Sequence, residues 1–500
     1  MRPIEALLLL ANLLALAGLA LPLSRALPWL RHAAPIALLT AGAQVLMEGS
    51  RWQMTPAYAL TGLFFSIWLW RVAAVRHTVR WRTHRLVTGA AIGLGAVAMV
   101  VSIALPIAMP LFRFPRPTGP YAIGTLTYHW VDAARLEVFG AHPRAARELM
   151  VQIWYPAAAE PSSRRAPYMP NADAVTLALA QIHHIPAFVF GHFKSITTHA
   201  VPSATVAGAH AAYPVLLFLE GVTGFRQMNT YQVEALVSHG YIVAAIDQPG
   251  AAAAVVFPDG RQAIGMTLAQ VHASIDSSYM PDPSVPPLIG RVPTGVGLIR
   301  YFAQDAVFVL DQLDVLNRTD PNGILGGKLN LRHAGAFGVS LGGIVAAEAC
   351  HLDPRLKACL MMDAPMPVDV ATSGLQQPSM WITRDSTGMR LERQRAGGWS
   401  EKEIQAHQAS MRAVYQSLPG AGYFVQVPGM FHINFTDVPN WSPWTRLMRL
   451  AGPINGQHAH DIVNAYALAF FDRHLLHPTA WQLDLPVWRY PEVHFESRLP

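Results

Sequence analysis

The stretch Ala334-Gly335-Ala336-Phe337-Gly338-Val339-Ser340-Leu341-Gly342-Gly343 decides the fold. It reads as a short apolar strand, a sharp turn carrying one serine, and the start of a helix. The helix continues through Ile344-Val345-Ala346-Ala347-Glu348-Ala349, a run of small and apolar residues that can only pack closely. So tight a turn strains the serine backbone, and a side chain two residues to either side would collide. Gly338 and Gly342 remove those Cβ atoms. A Gly-x-Ser-x-Gly pattern between a strand and a helix presents a serine hydroxyl at the carboxyl end of a sheet strand, ready to act as a nucleophile.

That arrangement is the nucleophile elbow of the α/β-hydrolase fold, in which the triad partners follow in the order serine, acid, histidine. The serine needs a base to take its proton, and the base needs an acid to hold its tautomer. Gly422-Tyr423-Phe424-Val425-Gln426-Val427 has the character of a late sheet strand, followed by a Pro428-Gly429 turn and then by His432. A histidine just past the carboxyl end of the last core strand is placed to be the base. Two aspartates compete for the acid. Asp363 ends the apolar strand Leu356-Lys357-Ala358-Cys359-Leu360-Met361-Met362, and Asp385 follows the strand Pro378-Ser379-Met380-Trp381-Ile382-Thr383-Arg384. After so apolar a run Asp363 needs a partner, because an unpaired buried carboxylate is costly. Asp385, with Arg384 before it and Ser386 and Thr387 after it, fits a solvated turn equally well. On these residues alone both remain open.

The rest of the chain beyond residue 112 alternates strands and helices, which predicts a mostly parallel sheet covered on both faces. Tyr213 to Leu219 and Gly240 to Asp247 read as central strands, with a helix through Tyr231 to Ser238 between them. Tyr301 to Leu316 and Asp461 to His474 have helical apolar spacing. Ala157 to Ala174 is rich in Pro, Ser and Ala and reads as a surface loop. The apolar and aromatic segment Val175 to Phe193 reads either as ordinary core or as a lid or acyl-chain wall beside the site.

Several linked motifs carry a family resemblance over roughly residues 115 to 440. They are Gly326-Gly327-Lys328-Leu329-Asn330-Leu331-Arg332, the elbow itself, Asp353-Pro354-Arg355-Leu356-Lys357-Ala358, and Met362-Asp363-Ala364. Upstream, Gly119-Pro120-Tyr121-Ala122-Ile123-Gly124 and Arg147-Glu148-Leu149-Met150-Val151-Gln152-Ile153-Trp154-Tyr155-Pro156 add to them. Together they resemble the plasma and intracellular type II platelet-activating factor acetylhydrolases and their bacterial relatives. The resemblance implies that the acid is Asp363, 23 residues after Ser340. It also implies an oxyanion hole built from the backbone N–H groups of Val222 and Leu341, which would bind the negative oxygen of a tetrahedral intermediate. The chain departs from the family at two positions, where Glu220 and Val339 replace usual histidines. A carboxylate at residue 220 would oppose the developing charge unless it is paired, with Arg226 as the nearest candidate, or turned away.

The 500 residues exceed one hydrolase domain, and a hydrophobic content of 52 % against 14 % charged residues points to a membrane component. It lies in residues 1–112. Ile4 to Leu23 and Leu86 to Leu111 are each long and apolar enough to cross a bilayer. Ala33 to Met47 and Ala57 to Val75 are shorter or interrupted by Arg71, and are read as two further spans. The first segment is not read as a signal peptide, since only Arg2 precedes it, no clean cleavage site follows, and more apolar segments come after. Arg71, Arg76, Arg80, Arg82 and Arg85 lie between the third and fourth spans, whereas the preceding turn carries only Arg51. With Arg25 and Arg31, that bias puts the arginine-rich loop in the cytoplasm and the hydrolase domain outside it, in a bacterium in the periplasm.

The net charge of +6 is accounted for largely by these loop arginines and calls for no nucleic acid. Cys350 and Cys359, the two cysteines, sit among apolar residues and are read as buried free thiols. His183-His184 and the pair His458 and His460 have no companion ligands at metal-binding spacing, so neither a metal nor a cofactor is expected. The sequence therefore predicts a membrane domain of about four helices over 1–112 and an α/β-hydrolase domain over 113–500. Ser340, His432 and Asp363 would cleave a small-molecule or lipid ester through an acyl-enzyme, with Val222 and Leu341 holding the oxyanion. Acyl transfer through the same intermediate, and a noncatalytic membrane receptor on a hydrolase fold, are the competing readings.

Overall fold

The computed structural model describes residues 1–20, 27–76, 85–139, 145–158, 164–267, 270, 288–289, 292–293, 297–476 and 484–499. Arg25, Arg80 and Arg82 of the expected cytoplasmic side lie outside them. The chain forms two compact units, Met1–Phe112 with Trp441–Trp444, and Arg113–Asn440 with Thr445–Pro500.

The first unit contains helices α1 (Pro3–Ala20), α2 (Ala33–Glu48), α3 (Thr55–Arg76) and α4 (Arg85–Ala108). These follow the expected segments closely, but only Gly89–Ala108 of α4, with a mean hydropathy of 2.3, is by itself long and apolar enough to span a bilayer. Helix α1 is apolar but shorter, α2 has 16 residues, and α3 ends in arginines. Four spans, as the sequence predicts, are thus not established by length and composition. The polarity of the unit is inverted. Leu7, Leu10, Leu39, Leu46, Leu94 and Val97 are exposed, while Glu5, Asn12, Gln44, Thr61 and Ser102 are buried. Inside, Asn12 Nδ2 donates to the Ala57 carbonyl at 3.0 Å and Thr61 Oγ1 donates to Asn12 Oδ1 at 2.9 Å. Glu5 accepts from Arg51 at 2.7 Å through both carboxylate oxygens.

The second unit is built on a ten-stranded sheet. Its strands are β1 (Ala122–Leu136), β2 (Ala146–Ala157), β3 (Val201–Pro202), β4 (Tyr213–Leu219), β5 (Ile242–Asp247), β6 (Leu329–Val339), β7 (Leu356–Met362), β8 (Ser379–Thr383), β9 (Gly422–Gln426) and β10 (His494–Arg498). The order is β10-β9-β8-β7-β6-β4-β5-β2-β1-β3. The six strands β9-β8-β7-β6-β4-β5 run parallel. Strands β10 and β2 are antiparallel to their neighbours β9 and β5. Parallel strands are buried on both faces and read as continuous apolar runs, and every residue of β4 and β5 is indeed buried.

The connecting helices are amphipathic where they meet this sheet. In α7 (Leu298–Arg318), Leu298, Phe302, Ala306, Val309, Leu313 and Leu316 are buried at helical spacing, and the helix packs on α8 (Leu341–Leu352), the elbow helix. One buried ionic cluster braces the antiparallel half of the sheet. Arg147 of β2 and Arg135 of β1 both reach Asp305 of α7 at 2.6 Å, and Arg147 also reaches Glu137 at 2.8 Å. Removing one partner would leave a buried charge uncompensated, a loss of about 3–5 kcal/mol.

The expectation of free thiols is overturned: Cys350 and Cys359 form a disulfide. Cys350 lies at the end of α8 and Cys359 in β7, and the short Asp353–Arg355 turn folds the strand back beside the helix end. Their Cα atoms come to 6.6 Å, a separation that the apolar sequence around each cysteine does not reveal. Denatured without reductant, the protein should take up no thiol-alkylating reagent, and after reduction it should take up two equivalents. Replacing both cysteines by alanine should lower stability by about 2–4 kcal/mol in denaturant titration.

Candidate active site

Ser340 follows β6 directly and is the N-cap of α8, with a left-handed backbone at φ +57°. The need for glycine on either side is steric, but the obstacle is backbone rather than the serine itself. A Cβ on Gly342 would lie 2.0 Å from the Leu219 carbonyl oxygen and 2.5 Å from that of Glu220. One on Gly338 would lie 2.3 Å from the backbone of Gly342. The elbow is therefore pressed against the end of β4.

Register then brings the acid alongside. Val339 of β6 pairs with Met362 of β7, and the Ser340 N–H donates to the Met362 carbonyl at 3.0 Å. The next residue of each strand is Ser340 on one and Asp363 on the other. Asp363 is also left-handed, at φ +46°, which turns it out of the sheet and is a conformation that a non-glycine residue holds at a cost.

The loop after β9 supplies the base. Gly429, at φ +76°, turns the chain. Asn434 Oδ1 accepts from the N–H groups of Phe431 and Gly452, each at 2.8 Å, which fixes the turn on which His432 sits. His432 Nδ1 lies 2.5 Å from Asp363 Oδ2. Asp385 is turned away and caps helix α9 (Ser386–Ala396), accepting from the Gly388 N–H at 2.7 Å. Of the two candidate acids, the structure brings Asp363 to the histidine. The His432 side chain keeps 31 % exposure while Asp363 is fully buried, so the pair is open to solvent on the histidine side only.

Asp363 has three further partners. Arg384 Nε lies 2.8 Å from Oδ2, Thr383 Oγ1 donates to Oδ1 at 3.1 Å, and His407 Nε2 of helix α10 (Glu401–Ser417) is 3.7 Å from Oδ1. Burial alone pushes the Asp363 carboxyl up, but the Arg384 guanidinium, His407 and His432 outweigh it and hold it well below the usual carboxylate range. His407 is itself buried, which lowers its pKa against a smaller opposing pull from Asp363. Sequence reasoning missed Arg384 and His407. Arg384 was visible only as a neighbour of Asp385, and the β7–β8 pairing is what turns it toward Asp363.

The turn after β4 carries Val222 and lies against the nucleophile. A Cβ on Gly221 would come within 3.3 Å of Ser340 Cβ. Thr223 is left-handed at φ +58°, its N–H donates to Ala251 at 2.8 Å, and the Gly224 N–H closes the turn on Gly221 at 2.9 Å. Leu341 is the first residue of α8, where a backbone N–H has no acceptor within the helix. The suggested pairing of Glu220 with Arg226 is not found. Arg226 binds Asp247 at the end of β5 through its side chain and its N–H. Glu220 accepts from the Gln248 N–H at 3.1 Å with one oxygen, and its other oxygen is buried without a hydrogen bond. Burial, reinforced by the neighbouring Asp247, pushes the Glu220 carboxyl well above its usual range, which opposes a negative charge beside the turn.

Of the Val175–Phe193 segment, residues Ala172–Ile182 form helix α5 with Val175, Ala178 and Leu179 buried, and Phe190 and Phe193 are buried beyond it. Leu177, Ile185 and Phe188 are exposed. His458 pairs with Glu492, and His460 stacks on Tyr231 at 3.7 Å and meets the Thr436 carbonyl at 2.9 Å. Both have structural partners.

Residues 107–264 match the family model of platelet-activating factor acetylhydrolase, isoform II. A platelet-activating factor acetylhydrolase from Gallus gallus is 19 % identical over 386 residues, covering 73 % of this chain and 84 % of that protein. Among solved structures, a ferulic acid esterase from Streptomyces cinnamoneus is 26 % identical, with a TM-score of 0.57, and the match covers 77 % of this chain and 99 % of that one. With the parallel sheet and the serine elbow already described, these matches make the chain a carboxylic ester hydrolase of the α/β-hydrolase fold, related to the isoform II platelet-activating factor acetylhydrolases.

Proposed function

We propose that the chain is a membrane-anchored serine esterase that works through an acyl-enzyme. Ser340 attacks the ester carbonyl, His432 takes the serine proton and returns it to the leaving alcohol, and Asp363 holds His432 in the required tautomer. The N–H groups of Val222 and Leu341 bind the oxyanion, and water then clears the acyl group. The observation that carries the reading is the contact between His432 Nδ1 and Asp363 Oδ2 at the carboxyl edge where the elbow presents Ser340. The relatives are named for platelet-activating factor and ferulic acid, so the substrate class we favour is an ester of a short or oxidised acyl chain, on a phospholipid or a smaller alcohol. No observation favours acyl transfer or a noncatalytic role over hydrolysis.

Anchoring is supported by the apolar length of Gly89–Ala108 and by the inverted polarity of the first unit, whose exposed leucines match lipid and whose polar side chains face one another. Arginine bias between the third and fourth helices supports a cytoplasmic loop there and a catalytic domain outside, at a bacterial inner membrane. The Cys350–Cys359 disulfide agrees with that side of the membrane, because such bonds persist in oxidising compartments.

Ser340→Ala should abolish labelling by a fluorophosphonate and lower turnover of a short-chain ester by on the order of 10⁶-fold. Retained labelling would remove Ser340 from the mechanism. Asp363→Asn should cost about 10⁴-fold in turnover while Asp385→Asn costs little beyond the loss of a helix cap, read as stability. The reverse ranking would move the acid to Asp385. A reporter active only in the periplasm, fused after Pro500, should be active, and a cytoplasmic reporter fused after Arg85 should be active too. Cytoplasmic activity at Pro500 would overturn the topology and leave the triad untouched.

A further inference from the structure

A triad acid needs one negative charge facing the histidine, yet here the same carboxylate oxygen that meets His432 also meets a cation. Arg384 is fully buried at the end of β8, with Nε 2.8 Å from Asp363 Oδ2 and Nη1 bonded to Glu392 of α9. Glu392 turns back to the base: its Oε2 and Oε1 accept from the His432 backbone N–H at 3.2 and 3.3 Å. The result is a closed circuit running Asp363, Arg384, Glu392, His432 and back to Asp363. Trp399 lies over it, 5.8 Å from the Arg384 guanidinium and 6.3 Å from the His432 ring.

Resting on the triad reading above, we propose that Arg384 and Glu392 are positioning residues that set both the place of His432 and the pH range in which it acts. Glu392 fixes the backbone of the base, and Arg384 fixes the acid and partly neutralises it. With the guanidinium drawing on Oδ2, Asp363 stabilises the His432 imidazolium less than a free carboxylate would. The activity therefore persists to lower pH than it would without the arginine. Glu392 acts in the opposite sense, since its negative charge favours the imidazolium.

The other titratable groups around the base are accounted for. Asp363 follows β7, Arg384 follows β8, Glu392 comes from α9 and His407 from α10, where burial lowers its pKa. Glu401 pairs with Arg390 and Arg393 on the exposed sides of α9 and α10. Asp437, further along the His432 loop, is turned to the N-terminus of helix α6 (Thr230–Ser238), where it accepts from the Thr230 and Tyr231 N–H groups at 2.8 and 3.0 Å.

The test is the pH profile of kcat/KM on a soluble short-chain ester, with the active fraction of each variant fixed by fluorophosphonate titration. Arg384→Met should move the acid limb up by about one pH unit, because a cation near the imidazolium is lost. Glu392→Gln keeps an acceptor for the His432 N–H but loses the charge, and should move the limb down by roughly half to one pH unit. Arg384→Lys should lower kcat while leaving the limb where it is, since the charge is kept and the fork is lost. Limbs that coincide in all these variants, with only the rates reduced, would overturn the proposal and leave the two residues as scaffold. If Arg384→Met yields no labelled protein, Glu392→Gln alone decides, through the sign of its shift. Failure of the triad reading is separate, since it would appear as activity in Ser340→Ala with the wild-type profile unchanged.

Discussion

The close approach of Gly342 to the carbonyl oxygens of Leu219 and Glu220 is the constraint on which the site depends. No side chain fits between the elbow and the end of β4. That contact sets how far β6 can run before it turns, and so where Ser340 stands. The parallel register to β7 then makes Asp363 its neighbour, and the end of β4 becomes the start of the turn that faces the serine. One backbone contact and two ladders thus fix the serine, the aspartate and the turn relative to one another.

Three of the six non-glycine residues with positive φ among the described residues stand at those same three points. Thr223, Ser340 and Asp363 are all left-handed without being glycine. Each such residue costs of order 1–3 kcal/mol and persists only because its surroundings leave no alternative. Those surroundings are the sheet residues 215–219, 242–246 and 358–362, all fully buried, packed too tightly to relax. Those strands form a rigid floor beneath the edge that carries the Ser340 hydroxyl, the Asp363 carboxylate and the 221–224 turn.

Buried carboxyls in the second unit fall on both sides of their usual range, according to whether burial or a neighbouring cation dominates. Arginines hold the buried Asp363 and Asp305 carboxyls below the usual range, whereas burial and the neighbouring Asp247 push the equally buried Glu220 well above it. The first unit differs, with Leu7, Leu10, Leu39 and Leu46 outward and Glu5, Asn12 and Thr61 paired inside beside an apolar core of Leu8, Met54, Leu60 and Phe64.

The sequence by itself determined the elements whose signals are local. The elbow, the apolar runs of the core strands, the helices of residues 1–112 and the histidine after β9 are written in short stretches of periodicity, glycine placement and turn chemistry. The tertiary structure alone decided whatever depends on which strand lies beside which. It settled Asp363 over Asp385 as the partner of His432, because β7 is next to β6 and the Asp385 side chain is used as a helix cap. It joined Cys350 to Cys359, drew Arg226 to Asp247 rather than Glu220, placed Arg384 and His407 against the acid, and set Glu392 between Arg384 and the His432 N–H. Each of these is a contact between side chains from different elements, and no one-dimensional pattern encodes which of several charged neighbours a buried carboxylate will meet.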